Sequence, residues 1–316
     1  MINVLLFLIL FAAQLTYFKI ADKFNIIDKP NQRSSHTTIT LRGGGVIFFI
    51  AACIFFLFNK FEYPWFFLGL TLISLISFID DIRPLSSKLR LPFHFSAMML
   101  MFYQWDLFNL PWYFTAIALI LCTGILNAYN FMDGINGITG TYSMVILAAL
   151  WYINSNIITF TNNEFIYVIA LSLLVFNFFN FRKKAKCFAG DVGSMSIAFI
   201  LIFMLGQLII KTSDFNYILL LAVYGVDTVL TIIHRIILKE NILEAHRKHI
   251  FQLMSNELRI PQLIVSSIYA MIQSLIIIGL LMFNDNAYIY SSIVITILIL
   301  AYILLKSKYY YLHQSK

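Results

Sequence analysis

Residues Ser194–Lys211 read SMSIAFILIFMLGQLIIK, a run whose only charged residue is its final lysine. Roughly 20 mostly apolar residues are needed for one helix to cross the hydrocarbon core of a bilayer. The run lacks the alternation of polar and apolar residues that marks a membrane barrel strand. Because a helix satisfies its own backbone groups in lipid, the run predicts a membrane-spanning helix.

The rest of the chain has the same character. Of its 316 residues, 60% are hydrophobic and only 12% are charged, about half the charged share of a soluble domain. The first run, Ile2–Phe18, lacks the basic start and the cleavage site of a signal peptide, so we interpret it as a retained span. The three cysteines indicate no disulfide framework. The sequence therefore predicts an all-α polytopic integral membrane protein, with one transmembrane domain over residues 1–316.

Eleven spans are predicted along the chain. Their approximate bounds are 2–20, 43–59, 64–80, 91–105, 112–130, 141–155, 164–181, 194–211, 216–238, 263–283 and 287–305. The runs at 91–105 and 141–155 are short, so an arrangement with ten spans remains an alternative.

Lysine and arginine are distributed unevenly over the loops between these spans. With eleven spans, 20 of the 22 fall on one side, and only Lys60 and Lys211 fall on the other. Because such residues concentrate in cytoplasmic loops, the basic side is predicted to be cytoplasmic and the N-terminus outside. The opposite loops are short and plain: Lys60–Pro64, Asp106–Pro111, Asn156–Glu164, Thr212–Asn216 and Asn284–Asn286. Any chemistry is expected in a cleft on the basic side, formed by segments 28–45, 78–94, 127–140, 182–196 and 234–254.

Two adjacent acids end the third predicted span. The dipole at a helix C-terminus disfavours Asp80 and Asp81, so a divalent cation or the nearby Lys88 and Arg90 must offset their charge. Ionisable groups at this depth are usually functional, although an interfacial pair of acids is the alternative. We therefore interpret the pair as part of a site.

Amides and further acids follow in the third and fourth segments. Asn127, Asn130 and Asp133 recur at helical spacing and share one face, and this segment offers no basic partner for the acid. Oxygen groups of this kind suit a hard cation or a nucleotide. Asp191 lies in GDVGS near a helix N-terminus, where carboxylates and phosphates are favoured. The alternative there is a plain helix cap by Asp191 or Ser194.

The first segment combines cations with three consecutive glycines. Arg33, His36 and Arg42 precede or adjoin Gly43–Gly45, and glycine lets backbone N–H groups approach an anion closely. A basic loop that meets lipid headgroups is the alternative. From this segment alone, the alternative is favoured.

The fifth segment contains a compact cationic cluster. His246, Arg247, Lys248 and His249 are consecutive, and the two histidines would share a face if the segment were helical. A phosphate-binding patch is favoured over a two-histidine zinc site, since no third ligand is spaced as in HExxH. A solvated basic face is the alternative. Asp227, inside the ninth span, belongs either to a polar seam between helices or to a wall of the active-site cleft.

The order of these motifs resembles one known superfamily. NAYNFMDGINGITG (127–140), FAGDVGS (188–194) and the HRKH run (246–249) resemble the polyprenyl-phosphate N-acetylhexosamine-1-phosphate transferases, glycosyltransferase family 4. The stretches DKPNQRSSH, RGGG and ENILEAHRKHIFQ are most similar to the branch that starts O-antigen or capsule chains. They are less similar to the related phospho-MurNAc-pentapeptide translocase.

The resemblance implies roles for individual residues. Asp191 would bind a metal ion, with Asn130 as the second ligand. Mg²⁺ is the favoured ion, and Mn²⁺ is the alternative. Asp80 and Asp81 would lie beside the lipid phosphate, one as its general base, and Asp133 would support the nucleotide site. The implied substrate-binding residues are Arg42, Lys88, Arg90, Asn127, Asn136, Phe188, His246, Arg247 and His249. Of these, Phe188 would stack on the uracil and Asn136 would read its edge.

The implied reaction moves an N-acetylhexosamine-type sugar-1-phosphate from a UDP-sugar such as UDP-GlcNAc to undecaprenyl phosphate. It would release UMP in the inner membrane of a bacterium, with a homodimer as the implied assembly and no nucleic-acid partner. Direct transfer and an aspartyl-phosphate intermediate both remain open. One departure from the family pattern, Lys184-Ala185-Lys186, leaves open which of Asn177 and Asn180 matches the family asparagine. A transporter of an anionic solute is the main alternative function.

Overall fold

The computed structural model describes residues 2–29, 39–241, 246–309 and 311–314. Over these ranges the chain is almost entirely helical, which confirms the predicted all-α class. Eleven long helices match the predicted spans one to one. They are α1 (Ile2–Lys23), α2 (Val46–Phe58), α3 (Pro64–Ile82), α4 (Ser87–Gln104), α5 (Trp112–Met132), α6 (Ile138–Asn156), α7 (Asn163–Asn180), α8 (Gly190–Thr212), α9 (Ala222–Ile237), α11 (Gln262–Met282) and α12 (Ala287–Tyr309).

Shorter elements lie between or after these helices. A two-stranded antiparallel sheet, β1 (Ile27–Asp28) and β2 (Thr40–Leu41), follows α1. Two short helices, α10 (Ile250–Gln252) and α13 (Tyr311–Gln314), lie in the C-terminal part. Arg33 and His36 of the first segment, and residues 242–245 of the fifth, lie outside the described residues.

Eight of the helices within the described ranges are long and apolar enough to cross a membrane, which establishes a multi-pass membrane protein. The other three long helices are α2, α4 and α6. Helix α2 has only 13 residues, and at 1.5 Å per residue it is shorter than the hydrocarbon core. Helix α4 contains Lys88, Arg90 and Pro92.

Loops that were predicted to share a side contact one another. On the side with few basic residues, Asn162 donates a hydrogen bond to Glu62 at 2.6 Å. Gln104 Oε1 accepts from the backbone N–H of Trp65 at 3.0 Å on that same side. The five basic-side segments meet at the opposite end, as described below. Both sets of contacts agree with the predicted alternation of the loops.

Helix α8 lies at the centre of the bundle. Within its 18-residue apolar stretch, 78% of the residues are buried inside the protein, against 11% for the corresponding stretch of α12 and 22% for that of α1. It packs against α3, α5 and α2, and Ser196 shares a 2.7 Å hydrogen bond with Ser74 of α3. The N-terminus of α8 therefore opens in the middle of the basic side, where it positions the candidate site.

Candidate active site

A cavity of about 250 Å³ lies where the basic-side segments meet. Four of the five predicted segments contribute side chains to its wall, and the remaining one, 78–94, lies directly behind it. The lining residues are Asp28, Arg42, Asn130, Asp133, Gly134, Ile135, Asn136, Asn180, Phe188, Gly190, Asp191, Gln252 and Gln262.

Asp81 lies behind the cavity and caps helix α8 from the neighbouring helix α3. Its carboxylate accepts hydrogen bonds from the backbone N–H of Asp191 and of the next residue, at 2.8 and 3.0 Å. Arg42 Nε lies 2.6 Å from the same carboxylate. The helix begins after Ala189 without a side-chain cap of its own, so a plain cap by Asp191 or Ser194 is wrong. The positive end of α8 thus offsets the charge that α3 disfavours.

Gly190 makes this close contact between α3 and α8 sterically allowed. Its φ is +71°, and a Cβ there would lie 2.5 Å from an Asp81 oxygen, so other residues would be strained and would clash. The neighbouring glycines serve packing as well. The N–H groups of Gly44 and Gly45 donate to the backbone carbonyls of residues 188 and 189. The N–H groups of Gly44 and Gly45 are therefore occupied within the chain rather than turned toward an anion.

Two arginines surround the carboxylate of Asp191. Arg42 Nη2 and Arg90 Nη1 each lie 3.5 Å from an Asp191 oxygen, and Arg90 also donates to Asp80 at 2.9 Å. Burial alone would lower the pKa of Arg42, but Asp81 and Asp191 outweigh it and the pKa is raised. The Arg42 guanidinium therefore stays charged, beside a partly exposed carboxylate that faces the cavity.

Asn130 joins Asp191 at the cavity wall. Its Nδ2 lies 3.1 Å from Asp191 Oδ1 and 3.2 Å from Ser194 Oγ. Among the described residues, no three acidic, histidine or cysteine side chains form a metal-binding cluster. Mg²⁺ usually takes only one or two protein ligands beside water and substrate phosphates. The oxygen groups of Asp191 and Asn130 fit that requirement, provided the Asn130 amide turns its oxygen toward the ion.

Asp133 follows the last residue of α5 and also faces the cavity. Thr139 donates a 2.7 Å hydrogen bond to its Oδ1. Burial raises the pKa of Asp133 to about 7, and the Thr139 hydrogen bond and Arg42 only partly oppose this effect. Asp133 is thus the acid of this wall whose charge changes near neutral pH.

The cavity lining also contains the residues predicted to bind a nucleotide. Phe188 lines the cavity. Asn136 donates through Nδ2 to the backbone carbonyl of Arg182 at 2.9 Å, so its Oδ1 is the atom left for a nucleobase. Asn180 accepts from the N–H of Gly137 at 2.7 Å and donates to a backbone carbonyl at 2.9 Å. Asn180 therefore lies at the site and ties two of its loops together.

The histidine segment, residues 246–252, packs beside the cavity. Residues 246–249 are not helical, so the predicted shared helical face is wrong, although the two histidine rings lie 4.9 Å apart. Burial, with the charges of His249 and Arg235, lowers the pKa of His246 to about 3. His246 is therefore neutral rather than cationic. His246, Arg247 and His249 do not line the cavity; Gln252 does.

Two further predicted residues lie away from the cavity. Asn127 is exposed and donates to the Thr123 carbonyl of its own helix. It therefore does not reach the cavity with Asn130 and Asp133. Lys88 is exposed, whereas Arg90 contacts both Asp80 and Asp191. Of these two cations, the structure places Arg90 at the site.

Four lining residues with polar side chains were not predicted from the sequence as site residues: Asp28, Asn180, Gln252 and Gln262. Asp28 belongs to the predicted first segment, and Asn180 was one of two candidate asparagines. Gln252 follows the HRKH run by three residues, so its position in a predicted segment was a usable signal. Gln262 begins α11, and no local pattern distinguishes it from an ordinary first residue of a span.

Comparisons with known proteins agree with this geometry. Residues 63–209 match the profile of glycosyl transferase family 4, a range that contains most of the carboxylates of the site. An undecaprenyl-phosphate alpha-N-acetylglucosaminyl 1-phosphate transferase of Salmonella typhi is 26% identical over 208 residues, which are 59% of this chain and 56% of the relative. The protein of the same name from Escherichia coli K12 is 26% identical over 224 residues, 64% of this chain and 60% of the relative.

A third relative comes from another bacterium. A probable undecaprenyl-phosphate N-acetylglucosaminyl 1-phosphate transferase of Bacillus subtilis is 25% identical over 258 residues, 73% of this chain and 70% of the relative. The chain spans less than two thirds of the length of the Salmonella and Escherichia relatives. The chain is therefore similar to glycosyl transferase family 4 over residues 63–209, and the relatives that it resembles are named as undecaprenyl-phosphate N-acetylglucosaminyl 1-phosphate transferases.

Proposed function

We propose that this protein transfers an N-acetylhexosamine-type sugar-1-phosphate from a UDP-sugar to undecaprenyl phosphate. The products are UMP and an undecaprenyl-diphospho-sugar, and the reaction is the first membrane step of a cell-surface polysaccharide. The observation that carries the proposal is the cavity in which Arg42, Arg90 and Asp191 meet beside Phe188 and Asn136. The names of the relatives make UDP-GlcNAc the first donor to test.

The residues that line or adjoin the cavity suit both the uracil and the diphosphate of such a donor. Phe188 would stack on the uracil, and Asn136 Oδ1 would accept from its ring N–H, because Nδ2 is already bonded to the chain. The guanidinium groups of Arg42 and Arg90 would contact the diphosphate, since planar guanidinium forks match phosphate oxygens. Asp133, which lines the same cavity as Asp191, would support the nucleotide.

The proposed reaction is a direct phosphoryl transfer. An oxygen of the lipid phosphate attacks the β-phosphorus of the UDP-sugar, the bond between that phosphorus and the bridging oxygen breaks, and UMP leaves with the electron pair. A phosphate monoester has a second pKa of about 6, so its oxygen is already deprotonated near neutral pH. The general base that the sequence assigned to Asp80 or Asp81 is therefore not required.

The contacts of Asp80 and Asp81 also favour direct transfer. A covalent route needs a carboxylate oxygen free to attack phosphorus. The side chain of Asp81 is fully buried, and its oxygens are occupied by Arg42 and two backbone N–H groups. Asp80 accepts from Arg90 and from the N–H of Leu85. We propose that the pair positions Arg42, Arg90 and the start of α8 instead.

Asp191 and Asn130 would hold Mg²⁺, with Mn²⁺ as the alternative. When bound, the ion would neutralise charge on the diphosphate as it develops in the transition state. Asp191 fits this role because its carboxylate faces the cavity and is only loosely bound by the two arginines, at 3.5 Å each. Asn130 Nδ2 donates to Asp191 and Ser194 in the structure, so the amide would have to turn for its oxygen to reach the ion.

The basic side of the protein would face the cytoplasm in the inner membrane of a bacterium, where UDP-sugars are available. The transporter alternative loses its main support, because Asp227 does not line the cavity and is bonded within the bundle. A homodimer, implied by the family resemblance, is the assembly we propose to test by mass measurement in detergent.

Release of UMP by the purified protein in detergent tests the proposed function. The assay contains undecaprenyl phosphate, Mg²⁺ and either UDP-GlcNAc or another UDP-N-acetylhexosamine. We expect release with one donor, dependent on lipid and metal, and loss of release in Asp191→Asn. The proposal would be contradicted if folded protein bound no UDP-sugar and released no UMP with any donor. Transport of an anionic solute would then become the leading hypothesis.

A further inference from the structure

The buried carboxylate of Asp227 in α9 has no part in the proposed reaction, yet it is densely bonded. Tyr269 of α11 donates to Oδ2 at 2.7 Å, and the backbone N–H of Ile250 donates to Oδ1 at 3.0 Å. Thr231, one turn further along α9, donates to Oδ1 at 3.3 Å. His249 Nδ1 lies 3.4 Å from the same oxygen. Two of these four partners belong to the histidine segment.

The tethered part of the histidine segment forms the edge of the cavity. Ile250 begins the short helix α10, and Gln252 ends it and lines the cavity. Between them, Phe251 is fully buried against Gly134, where a Cβ would lie 2.9 Å from its ring. A shift of Ile250 would therefore move both Gln252 and the turn that follows Asp133.

Lys248, which precedes His249, is held by residues of the loop after α9 and of α12. Glu240 pairs with Lys248 and accepts from Arg235 of α9 at 3.2 Å. Lys306 of α12 donates to the backbone carbonyl of Lys248. Helices α9 and α12 thus contact residues 248–250 directly, and α11 supports them through Asp227, the charged centre of this attachment.

We propose that Asp227 is a positioning residue, which holds the histidine segment against the cavity and thereby sets the binding of the UDP-sugar. The proposal rests on the proposed function for its effect on the donor. Burying an ionisable group inside a span is costly, and a hydroxyl would suffice to pair Tyr269. A carboxylate can in addition accept from Ile250 and face the His249 imidazole, which orients the ring.

Hydrogen–deuterium exchange of the full chain in detergent tests the attachment without any substrate. We expect Asp227→Ala to accelerate exchange in residues 246–252 about tenfold or more, because hydrogen bonds to a charged group are lost. Asp227→Asn should restore most of the protection, since its Oδ1 accepts from Ile250 and its Nδ2 donates to the Tyr269 oxygen. Tyr269→Phe should give an intermediate increase and serves if Asp227→Ala does not fold.

Gln273→Ala is the matched control. Gln273 lies one turn beyond Tyr269 on α11, is buried, and binds the Leu219 carbonyl and the Val223 N–H beside α9. Its loss should lower the Tm while leaving exchange in residues 246–252 unchanged. Equal acceleration in this control, or unchanged exchange in Asp227→Ala and Tyr269→Phe, would overturn the proposal.

Kinetic measurements then test whether the attachment of residues 248–250 to Asp227 affects binding of the UDP-sugar. In the UMP-release assay, Asp227→Ala should raise the KM for the UDP-sugar about tenfold more than the KM for undecaprenyl phosphate, and Asp227→Asn should recover most of the donor KM. A fall in kcat alone, or equal damage by alanine and asparagine, would contradict a positioning role. If the wild type releases no UMP, the proposed function fails, and the exchange experiment still decides whether Asp227 holds the segment.

Discussion

The two sides of the cavity are built in different ways. The carboxylate side rests on the meeting of two helix ends, where Asp81 of α3 caps α8 and aligns Asp191 with Arg42. The histidine side is a non-helical segment attached to α9 through Asp227, to the loop after α9 through Glu240 and to α12 through Lys306. The first side is fixed by backbone groups of the bundle itself, so we expect substitutions there to abolish the chemistry. The second is held mainly by side chains of neighbouring elements, so substitutions there should change substrate affinity.

The largest effect is expected for Asp191→Asn. The substitution keeps the shape and removes the charge that faces the cavity, so kcat should fall on the order of 10³-fold, while the Tm changes little because the side chain is partly exposed. UMP release and thermal unfolding in detergent measure the two quantities. Residual activity within tenfold of wild type would show that another group holds the metal.

Asp81→Asn should reduce stability as well as activity. The asparagine retains one acceptor for two backbone N–H groups and leaves Arg42 without its closest partner. Because Arg42 is partly exposed, we expect a loss of about 2–3 kcal/mol, below that of a fully buried pair. A lowered Tm together with loss of UMP release would confirm that Asp81 supports α8. Lost activity at an unchanged Tm would instead point to a direct role in the reaction.

Asp133→Asn should change the Tm by an amount that depends on pH. Burial raises the pKa of Asp133 to about 7, against an ordinary value near 4, so the folded state binds the proton more tightly than the unfolded state. The stability contributed by this proton is present at low pH and is lost as pH rises from about 4 through 7. Asparagine has no such loss, so the variant should gain roughly 2 °C or more in Tm over wild type at pH 8, and little at about pH 4. A difference independent of pH would contradict the raised pKa.

The helices and most of the carboxylate side could be predicted from the sequence. Apolar runs and the lysine and arginine asymmetry report directly on transfer into lipid, and each predicted span is a helix in the described residues. Asp80, Asp81, Asp133 and Asp191 stood out because acids at span ends need partners. Their partners could not be assigned, because contact between α3 and α8 depends on packing over 110 residues of separation.

The histidine side was harder to predict for the same reason. The HRKH run indicated a cationic patch, but burial makes His246 neutral and turns His249 toward Asp227. Local sequence could not show that Gln252, rather than the histidines, reaches the cavity. Neither could it rank Lys88 against Arg90, two cations separated by one position on the same helix.

The smallest effect is expected for Lys88→Ala, and Arg90→Ala is its matched comparison. Both residues lie in the first turns of α4, but only Arg90 contacts Asp80 and Asp191, while the Lys88 side chain is exposed. We expect Arg90→Ala to lower kcat/KM for the donor about 10²-fold and Lys88→Ala to change it less than about threefold, since an exposed cation interacts weakly through solvent. Rate measurements at low and high salt separate the two, because a long-range effect of Lys88 would disappear with screening. Equal losses for both variants at high salt would mean that α4 turns toward the cavity when substrate binds, and that the exposed position of Lys88 does not describe the working enzyme.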